Sequence, residues 1–224
     1  MNETPAREQT TETATVGGGE SVVPEDRLRA DTYRVLGRLL ATPPDEEALE
    51  LLAASEVGQE DSLLGVAWRL LAQAADRATA HEVADEYQTL FIGLGRGELI
   101  PYASWYLTGL LMEQPLATLR DDMQRLGFER HADVREPEDH AGALCEIMAF
   151  LVTEQHPESL QTQARFFERH IGPWMPRLFR DMQSARSARF YRAVGQLGEQ
   201  FIETDQHHLE MVDQTAGPGR PGVS

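Results

Sequence analysis

Hydrophobic residues recur along most of this chain at the three- and four-residue spacing that is typical of α-helices. The first such segment begins at Pro24, where a proline followed by two acidic residues favours a helix N-terminus, and it ends before Pro43-Pro44. Further segments follow, each bounded by proline, glycine or a cluster of polar residues. They predict helices over residues 45–54, 61–75, 79–92, 103–112, 115–126, 138–154, 158–170, 174–184 and 187–211.

The pattern predicts an all-α fold, a single compact bundle of about ten helices, because no segment shows the sustained alternation of β-branched residues that strands require. Residues 1–23 are rich in Thr, Glu and Gly and predict a disordered tail, since such a composition buries too little apolar surface to offset the entropy of ordering. Residues 213–224 contain a run of Gly and Pro and predict a second disordered tail. The helical domain is therefore expected to span residues 24–212.

The charge balance excludes several partners and reactions. The formal net charge of −17 repels nucleic acid and anionic membrane surfaces. All cationic side chains are arginines, so the chain lacks the lysine that a Walker-type phosphate loop and Schiff-base chemistry both need. Coding bias or salt adaptation explains the absence of lysine and the acidic charge, and so does attraction of a cationic ligand. The sequence leaves both explanations open.

Two further features bear on location. Cys145 is the only cysteine, which excludes an intrachain disulfide and a thiolate zinc cluster and fits a reducing compartment. No run approaches the roughly 20 apolar residues of a membrane span, and residues 1–19 contain no apolar core. We therefore expect a cytoplasmic protein with no stable membrane insertion.

Polar side chains are most concentrated in the segment Glu136-Pro137-Glu138-Asp139-His140. One interpretation is structural, because a proline at the first helical position with neighbouring acids stabilises a helix N-terminus. The other is functional, with Asp139 and His140 on an exposed rim where carboxylates receive a guanidinium group.

Aromatic side chains cluster on both sides of a glycine-rich break at residues 93–97. They form either a corner of the core or the wall of an apolar groove, and irregular backbone beside aromatic side chains is typical of binding sites. The cluster consists of Tyr87, Phe91, Tyr102, Trp105 and Tyr106.

No set of residues predicts catalysis. Cys145 shares a helix face with apolar residues and is expected to be a buried hydrophobe. Glu203, His207 and Glu210 share one face of the last predicted helix, but a single helix rarely completes a metal coordination sphere. We therefore predict that the protein is not an enzyme and has no metal site and no cofactor.

Three short motifs follow one another along the chain. They are Tyr87-x-x-Leu90-Phe91-x-Gly93, Pro101-Tyr102-x-Ser104-x-Tyr106 and Glu136-Pro137-x-Asp139-His140. In order and spacing they resemble the signature stretches of the TorD/DmsD family of redox-enzyme maturation chaperones, and the likeness extends from about residue 28 to residue 210.

This resemblance implies an all-helical cytoplasmic chaperone. Such a protein binds the twin-arginine signal peptide and the apoprotein of a molybdenum-cofactor oxidoreductase, assists cofactor insertion and delays export. The resemblance implies a signal-peptide-binding region formed by Tyr87, Phe91, Pro101, Tyr102, Trp105, Glu136, Asp139 and His140. A twin-arginine signal offers two guanidinium groups and then a short apolar stretch, so its binder needs carboxylates beside a hydrophobic groove.

The sequence departs from the family pattern at two places. Leu144 stands where the family often has the first acid of a Glu-x-Glu pattern, whereas Glu146 is kept, and Gly93-Leu94-Gly95 replaces a Gly-Pro pair. The segment from Ser104 through Cys145 most resembles family members associated with formate dehydrogenases, which implies such a client.

Two other functions remain as alternatives. One is a metal-dependent helical enzyme that uses His140, Glu146 and His207. The other is a helical adaptor that binds a folded partner without a signal peptide. The sequence predicts no nucleotide site and leaves the oligomeric state open.

Overall fold

The computed structural model describes residues 24–55, 61–128, 136–153 and 159–215. The predicted tail at residues 1–23 lies outside these ranges, as does the predicted C-terminal tail from residue 216 onward. The last helix reaches Thr215, beyond the predicted boundary at 212, and the sequence elements that disfavour a helix, Gly217-Pro218, come only after it.

The described residues form ten α-helices and one π-helical turn, which confirms the all-α fold. The helices are α1 (Pro24–Ala41), α2 (Glu46–Ala53), α3 (Leu63–Arg77), α4 (Ala80–Tyr87), α5 (Ala103–Thr108), α6 (Gln114–Arg125), α7 (Ala141–Thr153), α8 (Ser159–His170), α9 (Met175–Ser184) and α10 (Phe190–Thr215), and the π-helical turn is Gln88–Ile92. Among the helices of these ranges, none combines the length and apolar character needed to cross a bilayer.

Helices α1 and α7 pack closely against each other in the core. Their backbones approach at Gly37 of α1 and Gly142 of α7, where a Cβ added to Gly142 would lie only 3.0 Å from the carbonyl oxygen of Gly37. A larger side chain at either position would force the helices apart, because protein cores have little free volume. The largest side chains buried in this bundle include Trp174, Tyr33, Tyr191, Phe167 and Phe179.

The long helix α10 packs against α9 and α3, and its N-terminus is capped by a side chain from α4. The Glu86 carboxylate accepts hydrogen bonds from the backbone N–H groups of Arg189 (2.8 Å), Phe190 (3.1 Å) and Tyr191 (2.8 Å). A carboxylate at this end of a helix satisfies otherwise unpaired donors and complements the helix dipole. The start of α10 is thereby tied to the helix that leads into the candidate site.

The sequence prediction is wrong at two helix boundaries near that site. Helix α5 ends at Thr108 instead of 112, because Gly109 adopts the left-handed conformation (φ 82°) and its N–H donates to the carbonyl of Trp105 at 2.8 Å. Helix α7 begins at Ala141 instead of 138, because the Asp139 carbonyl accepts a hydrogen bond from the N–H of Ala103 and the N–H of Ala141 donates to the Pro101 carbonyl. Pro137 therefore lies before α7 and does not occupy its first turn.

Candidate functional site

Tyr87 and Phe91, at the end of α4 and in the π-helical turn, belong to an aromatic cluster on the core. Their ring centroids are 4.9 Å apart, and Phe91 meets Tyr191 of α10 edge to face at 5.3 Å. The Tyr87 hydroxyl donates to the carbonyls of Leu40 (3.1 Å) and Ala41 (2.9 Å), which satisfies the C-terminus of α1. Burial raises the pKa of Tyr87. Both rings are half-buried and hold α1, α4 and α10 together.

The π-helical turn leads into a tight glycine loop. The N–H of Gly93 donates to the carbonyl of Gln88 at 2.7 Å, the i to i+5 bond that defines such a turn, and π-turns are frequent at functional sites. Gly93 has a φ of 62°, and an added Cβ would lie 2.1 Å from the carbonyl oxygen of Arg96. The chain folds back so that the N–H of Leu99 donates to the carbonyl of Leu90 at 2.8 Å. This loop delivers the chain to the start of α5.

The second and third sequence motifs meet at that point. The N–H of Ala103 donates to the Asp139 carbonyl at 3.0 Å, and the N–H of Ala141 donates to the Pro101 carbonyl at 2.8 Å. The Asp139 carboxylate also accepts a hydrogen bond from the N–H of Ser104 at 2.9 Å, so it caps the N-terminus of α5 across the chain. The ring of Tyr102, between these contacts, packs against His140 at 5.1 Å.

This geometry corrects the predicted rim. Asp139 is 1% exposed and His140 is 7% exposed, so neither lies at the surface. Asp139 is buried because it accepts hydrogen bonds from the N–H groups of Ala103 and Ser104 at the start of α5, and the His140 ring is covered by Tyr102. The Asp139 Oδ1 atom has no hydrogen-bond partner among the described residues, and Asp139 lines a small groove of about 370 Å³ beside α5 and α6.

The His140 ring is held in its neutral form. Its Nδ1 atom accepts a hydrogen bond from the N–H of Gly142 at 3.1 Å, so the ring proton resides on Nε2. Burial lowers the pKa of His140 to about 4, against a smaller opposing effect of the neighbouring Asp139. His140 is therefore a positioning residue at physiological pH and carries no charge for a ligand.

Of the acidic side chains in the third motif, Glu136 is the one that is exposed. Glu138 instead accepts two hydrogen bonds from Arg120 of α6, at 3.0 and 2.8 Å. The predicted charged rim is thus reduced to Glu136 within the part of this motif that the structure describes.

Trp105 lies apart from this junction, in a groove of about 890 Å³ between α5 and α9. We call it the α5–α9 groove. Its lining comprises Trp105, Tyr106, Leu107, Thr108 and Gly109 from α5 and its end, Glu98, Leu99 and Ile100 from the preceding loop, and Arg177, Asp181, Ser184, Ala185 and Arg186 from α9 and the segment that follows it.

The α5–α9 groove combines an apolar wall with two carboxylates. Asp181 accepts a hydrogen bond from the Tyr106 hydroxyl at 3.0 Å, and the Tyr106 ring packs on the buried Trp174 at 5.5 Å. Glu98 accepts hydrogen bonds from the N–H of Arg186 at 3.0 Å and from the Ser187 hydroxyl. These hydrogen bonds lower the pKa of Glu98, and the bond from the Ser187 hydroxyl has the largest effect. The Glu98 carboxylate therefore stays ionised. Neither carboxylate belongs to a sequence motif, so neither was predicted as a site residue.

An exposed apolar segment borders the same groove. Leu107, Leu110, Leu111 and Met112 are all exposed, and Met112 has a φ of 58°, which is unusual for a residue other than glycine. The sequence predicted these residues as part of a helix, but only Leu107 is helical, because the left-handed Gly109 ends α5 and leaves Leu110, Leu111 and Met112 in a loop. Exposed apolar side chains that adjoin each other mark an interaction surface.

The predicted site residues therefore fall into separate groups. Pro101, Tyr102, Asp139 and His140 form one junction, Tyr87 and Phe91 belong to the aromatic cluster, Trp105 lies in the α5–α9 groove and Glu136 is exposed. Within the described ranges, no three His, Cys, Asp or Glu side chains come together in a way that could hold a metal ion. Within these ranges, His140, Glu146 and His207 therefore do not form the metal site that the alternative of a metal-dependent enzyme requires.

Comparison with known proteins identifies the family. Residues 58–180, more than half of the chain, match the family model described as nitrate reductase delta subunit. The chain belongs to this family, the TorD family. The three motifs had led to the same prediction, which is confirmed.

TorD-family relatives cover most of the chain. The chaperone protein TorD of Shewanella loihica is 27% identical over 81% of this chain and 93% of its own length. The chaperone protein TorD of Vibrio cholerae is 29% identical over 62% of this chain and 69% of its own. A crystal structure of a protein described as a redox enzyme maturation protein, from Archaeoglobus fulgidus, covers 86% of this chain and 99% of that one at a TM-score of 0.47 and 16% identity. The relatives are named as chaperones, which confirms the prediction of a non-enzymatic role.

Proposed function

We propose that this TorD-family chaperone holds the twin-arginine signal peptide of a molybdenum-cofactor oxidoreductase in its α5–α9 groove. It acts in the cytoplasm on the apoprotein, assists insertion of the cofactor and delays export until insertion is complete. The observation that carries the proposal is the composition of the groove, in which an aromatic and aliphatic wall stands beside the carboxylates of Glu98 and Asp181.

The two halves of a signal peptide fit the two halves of this surface. Carboxylates attract the guanidinium groups by charge-assisted hydrogen bonds, but exposed pairs of this kind contribute only about 1 kcal/mol or less each. The exposed segment from Leu107 to Met112 suits the apolar stretch, which contributes about 25 cal/mol per Å² of buried apolar surface before ordering costs. The apolar stretch therefore supplies most of the affinity, and the carboxylates supply selectivity.

The eight residues predicted from the sequence divide into two roles in this proposal. Trp105 contacts the peptide directly, and the exposed Glu136 supplies a carboxylate outside the groove. The other six pack or hydrogen-bond within the fold and position α5. These six are Tyr87, Phe91, Pro101, Tyr102, Asp139 and His140.

Fluorescence anisotropy of a labelled twin-arginine signal peptide tests the proposal. We expect saturable binding by the full chain and weaker binding when glutamine replaces both peptide arginines. If no saturable binding occurs, or if a client that lacks its leader still forms its complex with the chaperone, the protein is an adaptor for a folded partner and the proposal is wrong.

Trp105→Ala is expected to weaken peptide binding by about tenfold or more, because tryptophans in interface pockets contribute disproportionately to affinity. Trp105→Phe keeps an aromatic face and is expected to lose less. Phe150→Ala is the matched control, since Phe150 is an exposed aromatic residue of α7 that does not line the α5–α9 groove. Equal losses for Trp105→Ala and Phe150→Ala in the same titration would contradict the assignment.

Asp139→Ala is expected to lower the free energy of unfolding by about 1–3 kcal/mol, because the buried N–H of Ser104 loses its acceptor. Asp139→Asn keeps an amide oxygen for this bond, so it is expected to retain most of the stability and the peptide affinity. Urea unfolding and peptide titration measure the two effects, with the exposed Asp121→Ala as control. If Asp139→Asn folds like the parent but no longer binds the peptide, Asp139 contacts the peptide directly and does not act as a positioning residue.

The client is the remaining part of the proposal. We infer a formate dehydrogenase, supported by the resemblance of the segment from Ser104 through Cys145 to family members associated with such enzymes. Mass spectrometry of proteins that co-purify with the chaperone from its own cell identifies the client, and recovery of a different oxidoreductase would refute this inference.

A further inference from the structure

Two arginines of this chain lie over consecutive aromatic residues of α5. The guanidinium carbon of Arg96 is 4.3 Å from the ring centroid of Trp105, and that of Arg177 is 5.7 Å from the ring centroid of Tyr106. Both rings line the α5–α9 groove. Two cationic groups thus already occupy the aromatic wall of a groove that a peptide with two guanidinium groups is proposed to enter.

The α5–α9 groove also contains two carboxylates, Asp181 and Glu98. The Arg177 Nε atom is 4.0 Å from Asp181 Oδ2, and Asp181 is oriented by the Tyr106 hydroxyl. Glu98 follows Arg96 closely on the glycine loop, lines the same groove, and is fixed by the backbone of Arg186. The groove therefore offers guanidinium groups both ring faces and negative charges, the two features that favour planar arginine over lysine.

Neither arginine is held firmly. Arg96 is exposed, and the Arg177 and Asp181 side chains are 68% and 45% exposed. Cation–π contacts and ion pairs at exposed positions are the weakest of their class, because water competes for the charge. An incoming guanidinium group that is anchored by an apolar stretch can therefore displace them.

We propose that the faces of Trp105 and Tyr106 are two guanidinium sites, which Arg96 and Arg177 occupy in the free protein and which the two arginines of the signal peptide occupy in the complex. This inference rests on the proposed function and deepens it. The internal arginines compete with every cationic ligand, so a ligand binds only when further contacts outweigh the competition. An isolated cation is rejected, and a pair of arginines followed by an apolar stretch is accepted.

The test removes the competitors from the full chain. Arg96→Ala and Arg177→Ala are each expected to tighten binding of the twin-arginine peptide about two- to fivefold, and the double variant about tenfold. A peptide with two lysines in place of the arginines is expected to gain less, so selectivity for arginine rises. Arg34→Ala, an exposed arginine of α1 outside the groove, controls for the loss of one positive charge from an acidic protein.

The outcomes separate this inference from the proposed function. If the parent binds the twin-arginine peptide but the double variant binds no more tightly than Arg34→Ala, the two guanidinium sites are refuted and the proposed function stands. If only the double variant binds, the two arginines do compete for the sites, but the parent does not hold the peptide and the proposed function is refuted. If neither the parent nor the double variant binds, both the proposed function and the two sites are refuted.

Discussion

Replacing Asp205 with alanine is expected to lower the free energy of unfolding by about 3–5 kcal/mol, because it leaves the buried guanidinium group of Arg29 without its main partner. The Asp205 side chain is fully buried in α10. Its Oδ1 atom accepts a hydrogen bond from Arg29 Nε at 2.6 Å, and its Oδ2 atom accepts one from the Tyr33 hydroxyl at 2.7 Å. Burial and the Asp205 charge raise the pKa of Tyr33 well above its ordinary value, so this hydroxyl remains a donor.

The same network joins other helices. Arg29 also donates to the side-chain oxygen of Gln163 in α8 at 3.1 Å, and the Gln163 amide donates to the carbonyl of Leu151 in α7 at 3.2 Å. Removing Asp205 therefore weakens the attachment of α10 to α1 and leaves a charge in an environment of low dielectric constant.

Urea unfolding followed by circular dichroism measures this effect, and the chain provides a matched control. Arg34 and Asp31 form an ion pair of 2.7 Å on the exposed face of α1, the helix that contains Arg29. Asp31→Ala is therefore expected to lower the free energy of unfolding by less than about 1 kcal/mol. The double change Arg29→Met with Asp205→Leu is expected to recover much of the loss, because an apolar pair needs no charged partner. Similar losses for Asp205→Ala and Asp31→Ala would show that burial of the network contributes nothing.

Most of the fold could be predicted from the sequence, because the helices follow from local spacing. Pro43-Pro44 marks the end of α1 correctly, since proline cannot continue a helix. The error at the start of α7 falls where a distant segment determines the backbone. Residues 139–141 pair with residues 101–103, and these contacts prevent the helix from starting at 138.

The candidate site was predicted only in part, for the same reason. The three motifs identified the family and the segments that meet, but not which side chains are exposed. Asp139 looked like a surface carboxylate because its partner, the N–H of Ser104, lies 35 residues away. Asp181 and Glu98 reach the α5–α9 groove from different elements, and no local pattern links them to Trp105. Arg29 and Asp205 are 176 residues apart and gave no signal at all.

Acid is expected to destabilise the protein through His140, whose pKa is lowered by burial to about 4 from an ordinary value of 6.5. Between these two pH values the unfolded chain binds a proton that the folded protein excludes. The stabilising contribution of the neutral ring is fully present above pH 6.5 and is lost as the pH falls towards 4. The shift corresponds to about 3 kcal/mol between pH 7 and pH 4.

His140→Asn tests this effect, because the asparagine oxygen can accept the hydrogen bond from the N–H of Gly142 but does not titrate. We expect the variant to lose about 3 kcal/mol less stability than the parent when urea unfolding at pH 7 is compared with pH 4. Carboxylates titrate in both proteins, so their contribution to the pH dependence of stability cancels when the variant is compared with the parent. Burial also lowers the pKa of His170, which acts in the same direction and remains in the variant. The exposed His81→Asn is the control, and equal pH dependence of all three proteins would mean that His140 is not held neutral by the fold.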